Sequence, residues 1–144
     1  MKIKKKLKQL FCNHCIEDKQ LLLIDLCMRL PHGVICNTPK GNGHLCSINQ
    51  TIFGTEYGIN IKATKRDYCN DRKVYVKPYL RSMEDMTEEE IDEFTQFDVY
   101  ADGEYVMPNY ELIDWLNKNM FDYRGLIPKG LAIEVTEENN PYKE

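Results

Sequence analysis

The chain has 144 residues, 42% hydrophobic and 29% charged, with a formal net charge of −4, the balance of one globular domain rather than a disordered or fibrous chain. Its longest apolar run, Leu21-Leu22-Leu23-Ile24, stops at Asp25, well short of the roughly 20 residues that cross a bilayer, so no membrane partner is expected. The acidic balance also argues against a general nucleic-acid binder.

Residues 1–16 read as a basic leader, residues 17–136 as a single domain and residues 137–144 as a polar tail. Lys2, Lys4, Lys5, Lys6 and Lys8 crowd the leader, with no arginine or aromatic among them to read or stack a base. Nucleic-acid contact is expected only there, through counterion release. No apolar h-region or cleavage site follows, so a cytoplasmic location is expected, with the six cysteines as reduced thiols. Cys12-Asn13-His14-Cys15 has the Cys-x-x-Cys spacing of half a tetrahedral zinc site, with His14 placed to help. The second half lacks ligand spacing, His32 with Cys36 and His44 with Cys46 being the only nearby pairs. Free thiols and no cofactor are the expectation, and zinc on Cys12, Cys15 and His14 is the alternative.

Leu22, Leu26 and Leu30 recur at four-residue spacing, widened by Leu23 and Cys27, which predicts a helix over 17–30 with Cys27 as a small core residue. Asp25 and Arg29 form an i,i+4 pair on another face. Pro31 and Gly33 end the helix, leaving His32 as an exposed turn residue. Strands are expected at 34–36, 45–53 and 57–64, with 39–43 as a loop; Ile59, Ile61 and Ala63 alternate with polar residues, as on one buried sheet face. Residues 65–73, charged and containing Asn70-Asp71, read as a turn. A further strand spans 74–80, where Pro78 belongs near a strand end or on an edge.

Thr87-Glu88-Glu89-Glu90 is a capping box opening a short acidic helix, its carboxylates at the positive end of the helix dipole. Asp102-Gly103 is a hairpin signal between 97–101 and 104–107. Asn109 caps a helix from about Tyr110, with Leu112, Trp115, Leu116 and Met120 on its buried face and an end at Asn119 and Met120. Residues 121–127 form a tight connection in which Gly125 takes a positive φ and Asp122 and Arg124 are held inward. Arg124 is expected to bridge Asp122 or Asp114 and nearby carbonyls. Leu131, Ile133 and Val135 alternate into a last strand. The fold predicted is α+β: a small antiparallel sheet of about five to six strands packed with an N-terminal helix, a C-terminal helix and one short acidic helix.

Three islands, 21–34, 76–90 and 114–134, carry the sequences LLLIDLCMRLPHGV, VKPYLRSMEDMTEEE and DWLNKNMFDYRGLIPKGLAIE. Together they resemble an uncharacterised family of small proteins from Bacteroidales genomes, prophages and gut phages. The likeness spans about residues 17–134 and implies no activity; family members usually begin close to the first island, so the leader departs from the pattern.

No nucleophile motif, P-loop or dinucleotide fingerprint occurs, and His14, His32 and His44 fall in leader or turn sequence. No catalytic residue is therefore assigned. The reading is a phage- or mobile-element-type accessory protein that binds a host or phage protein, as an inhibitor of a host or defence factor, with the strands and loops of 38–73 as its surface. Trp115, Asp122, Tyr123 and Arg124 are the structural or binding residues of the closing segment. The alternatives are a small enzyme of unknown reaction and a zinc-stabilised or nucleic-acid-contacting adaptor working through the leader.

Overall fold

The structure, a computed structural model, describes residues 17–50, 57–70, 73–97, 100–102, 105–107 and 109–143. The leader, with Cys12, His14 and Cys15, lies outside the described residues. Helix α1 (Asp18–Arg29) buries Leu21, Leu22 and Leu26 to within 1% exposure, each such side chain contributing about 1.5–3 kcal/mol. A 3₁₀ turn (Leu30–His32) with Pro31 near its start follows, and Gly33, at φ +74°, reverses the chain.

Strands β1 (Ile35–Thr38) and β2 (Gly41–Gln50) form a hairpin whose loop is only residues 39 and 40, shorter than the expected 39–43. Thr38 explains the economy. Its hydroxyl donates to the Gly41 carbonyl (2.8 Å) and accepts from the Lys40 N–H (3.1 Å). Strand β3 (Tyr57–Ile61) pairs with β2 across a bulge between Leu45 and Ser47. Residues 65–73, expected as a turn, instead contain strand β4 (Arg66–Cys69). The Thr64 and Lys65 N–H groups both reach the Ile61 carbonyl, with Lys65 at φ +48°. This sharp reversal returns the chain in register with β3, and backbone pairing prevails over side-chain polarity at an edge.

Strand β5 (Lys77–Leu80) pairs with β1, and β8 (Ile133–Glu134) lies parallel to β5. The α+β sheet thus has six strands in the order β4-β3-β2-β1-β5-β8, antiparallel except for that last pair. Pro78 stands opposite Cys36 near the start of β5, which is an interior strand rather than an edge. The position is tolerated because β8 pairs only from Tyr79 onward, leaving no partner to miss the absent N–H.

After Arg81 the chain leaves the sheet through a 3₁₀ turn (Met83–Asp85) and helix α2 (Glu88–Gln96), whose capping box forms as expected with the Thr87 hydroxyl 3.1 Å from Glu90 N and Glu90 Oε1 3.0 Å from Thr87 N. Strands β6 (Tyr100–Asp102) and β7 (Tyr105–Met107) make the hairpin around the Asp-Gly signal, although Gly103 itself is outside the described residues. Helix α3 (Tyr110–Lys118) starts at Asn109, whose side chain accepts from Leu112 N at 2.8 Å. The excursion closes where it began. Arg81 N–H donates to Met120 O (2.7 Å) and Asp122 N–H to Arg81 O (2.8 Å).

Two main apolar clusters result. One joins α1 to the sheet through Leu22, Leu26, Cys36, Ile59, Ile61 and Leu80. The other, built from Met86, Phe94, Leu112, Leu116, Phe121 and Tyr123, belongs to the excursion. A third and smaller one, Ile35, Tyr79 and Val135, lies under Tyr142 of the C-terminal segment. Among the described residues no helix is long and apolar enough to cross a membrane.

Candidate functional site

The closing segment forms a buried charge centre on the flank of α1. Asp25 and Arg29, expected as a helix-surface pair, are both fully buried. Arg29 Nε donates to Asp25 Oδ2 (2.9 Å) and Nη2 to the Phe121 carbonyl (2.6 Å). Arg124 Nη1 donates to the other carboxylate oxygen of Asp25 at 2.8 Å. The carboxylate seen on Arg124 is thus that of Asp25 on α1, where Asp122 or Asp114 was expected. Asp122 faces the opposite way and accepts from the Leu126 N–H (2.8 Å) and the Ile127 N–H (2.9 Å), so it pins the turn that Gly125, at φ +78°, makes possible. Burial raises the Asp122 pKa, and those two N–H groups oppose the shift.

Tyr123 sits between the two guanidinium groups, with Arg124 Cζ 4.4 Å and Arg29 Cζ 5.4 Å from its ring centroid. Its hydroxyl donates to Asn117 Oδ1 (2.9 Å), and Asn117 Nδ2 donates to the Ile113 carbonyl (3.0 Å). The centre therefore clamps α1, α3 and the closing turn together. Arg29 Nη1 is the one buried guanidinium N–H group here without a protein acceptor, a place one ordered water would satisfy. Every carboxylate oxygen of Asp25 and Asp122 accepts a hydrogen bond, so the centre ties three segments together through charge-assisted bonds.

Trp115 is only half-buried, although its position on the helix follows the predicted apolar spacing. Its ring lies 5.5 Å from Phe121, 5.6 Å from Phe97 and 6.2 Å from Phe94, and its Nε1 donates to Glu93 Oε2 at 2.9 Å. It fastens α2 to α3. Glu93 thus does more than charge a helix start. Asp114 lies against His32, Oδ1 to Nε2 at 3.2 Å, a partner that the local pattern around His32 does not contain.

Cys27, expected in the core, is not the buried cysteine. Cys27 is exposed, because the apolar arc of α1 is wider than its contact with the sheet, and Cys36 of β1 is the fully buried one. Burial pushes the Cys36 thiol far up from its ordinary range. Cys46, at the β2 bulge, is exposed beside His44, whose Nδ1 lies 3.2 Å from the Gly33 carbonyl. Among the described residues no three His, Cys, Asp or Glu side chains are grouped to hold a metal ion.

The remaining surface feature is the outward face of β2, β3 and β4. Leu45, Ile48, Ile59, Ile61 and Tyr68 turn toward the core, so alternation places their neighbours outward. Two cross-strand rows result in register: Ser47, Asn60 and Asp67, and Asn49, Gly58 and Cys69. All six are exposed or half-exposed. Gly58 is not demanded by packing, since a Cβ there would have Asn49 atoms no nearer than 3.8 Å; it leaves a notch in the second row. Among the described residues, strand β4 stands at the end of the sheet.

No protein-family model, curated protein or solved structure matches the chain.

Proposed function

We propose that the protein is a protein-binding module of the phage or mobile-element accessory kind, working in the host cytoplasm by occupying a host or defence factor. The observation that supports this reading is the β4 edge with its outward face. Short polar side chains, a glycine notch and a strand at the end of the sheet form a surface suited to an added strand or a flat partner, where main-chain hydrogen bonds supply affinity and alternate side chains supply selectivity. The charged residues that might otherwise suggest catalysis are engaged in holding the closing turn. The islands shared with the phage-type family fall largely on α1, β5 and the closing segment, so the β2–β4 region is the part free to differ between partners.

The test pairs capture from lysogenic or infected host cells with a steric block. Gly58→Arg and Asn60→Arg place long side chains on the outward face without entering the core. Loss of a stoichiometric partner, with the melting temperature kept within a few degrees, is the expected result. Equal recovery by wild type and both variants rejects this face as the binding surface.

A further inference from the structure

The C-terminal segment carries a side chain that takes part in the sheet. Strands β1 and β5 pair at Asn37 with Lys77 and at Cys36 with Pro78, and one step further along the same register Ile35 would meet Tyr79. The Tyr142 hydroxyl stands between them instead. It accepts from the Ile35 N–H (3.0 Å) and donates to the Tyr79 carbonyl (2.8 Å). The phenol thus replaces one ladder bond by two, in the manner of an inserted water. Its ring covers Ile35, Tyr79 and Val135, which are 9%, 4% and 7% exposed.

We propose that Tyr142 is a releasable wedge, and that β1 and β5 have two alternative pairings: one held apart by the Tyr142 hydroxyl, the other closed through a direct Ile35 N–H to Tyr79 carbonyl bond. Three observations carry this. The two backbone groups are in register for direct pairing, so release leaves neither of them orphaned, and the usual cost of an unmade buried bond is avoided. Among the described residues, the hydrogen bonds of residues 136–143 outside Tyr142 are local, joining Thr136 with Asn139 and Asn140 with Tyr142 and Lys143, so within these residues the segment is anchored to the sheet chiefly at one side chain. Burial raises the Tyr142 pKa, which keeps the proton that the Tyr79 carbonyl accepts. An element with two discrete arrangements of the same groups is the physical basis of a switch. Here the switched property is the apolar strip of Ile35, Tyr79 and Val135, covered in one state and uncovered in the other.

The test uses the full chain. In the wild type, nitrogen relaxation dispersion should show the Ile35 and Tyr142 amides exchanging between two environments, while Ile59 and Ile61 in the core strand show none. In Tyr142→Ala, a through-hydrogen-bond coupling between Ile35 nitrogen and the Tyr79 carbonyl carbon should appear, with Ile35 protection retained. Either of two results overturns the proposal: a wild type in which the Ile35 and Tyr142 amides show no such exchange, or a folded variant in which the Ile35 amide is unprotected and uncoupled. Should the variant not fold, the wild-type relaxation data decide alone.

Discussion

Replacing Asp25 by Asn is the sharpest probe of the buried centre. The wild-type carboxylate accepts from Arg29 Nε at 2.9 Å and from Arg124 Nη1 at 2.8 Å, in a place with no solvent exposure. The amide keeps one acceptor and turns a donor toward the second guanidinium. Arg29 is itself fully buried and cannot recover hydration, so the loss is that of breaking a buried ion pair, about 3–5 kcal/mol. Against a total stability of about 5–15 kcal/mol, this lowers the melting temperature by about 10–15 °C at the sensitivity typical of a chain of this size. Urea denaturation followed by Trp115 fluorescence, with circular dichroism as a second probe, measures it. Arg124→Ala should cost less, about 1–3 kcal/mol, because Asp25 keeps Arg29 and the Arg124 site is nearer the surface. An apolar replacement of all three groups should recover most of the loss. If Asp25→Asn costs under about 1 kcal/mol, or if its cost vanishes on adding salt as for a screened surface pair, the centre does not hold the fold together as described.

Three further outcomes are expected. Gly43→Ala should destabilise by about 1–3 kcal/mol by overpacking, because a Cβ there would meet Ala63 Cβ and Ile61 Cγ2 at 2.5 Å, whereas Gly58→Ala should be neutral or stabilising; equal effects in thermal unfolding would refute the contrast. Glu90 is held below its ordinary pKa first by hydrogen bonds from Arg81, at 2.7 and 2.8 Å. A lowered folded pKa means that its stabilisation is present above the unfolded value and is lost as pH falls through the folded one. Glu90→Gln should therefore flatten the acid limb of stability below about pH 4.5, and an unchanged limb on pH-dependent denaturation would exclude the pair as its source. Maleimide labelling followed by peptide mass spectrometry should modify Cys27 and Cys46 in the native protein, and Cys36 only in denaturant; native labelling of Cys36 at the Cys46 rate would contradict its burial.

Features whose causes are local were legible in the sequence. The capping box at Thr87 and Glu90, the Asn109 cap, the positive φ of Gly125 and the alternation in β3 each depend on residues within a few positions of one another. What escaped depends on distant partners. Asp25 and Arg29 look like a surface pair until Arg124, 99 positions from Asp25, and the Phe121 carbonyl enclose them. Cys27 lies exposed rather than in the core because the sheet, not helix periodicity, determines which arc of α1 is covered. Strand β4 is polar enough to read as a turn, and only its pairing with β3 makes it a strand. Tyr142 lies in a segment polar in composition, and nothing in its neighbourhood signals that its hydroxyl enters the sheet. The outward face of β2–β4 was anticipated as a region but not as two registered rows.

The hydrogen bonds from Arg81 to Met120 and from Asp122 back to Arg81 bear on how the chain can be altered as well as on its stability. Residues 82–120 leave and re-enter the sheet at neighbouring backbone groups, so a change of length inside the excursion need not move its two ends. A shorter connector between the same two points would leave the strand order unchanged. The tip of the excursion, away from Asn117 and the closing turn, is therefore the practical place to insert a reporter sequence without disturbing the sheet.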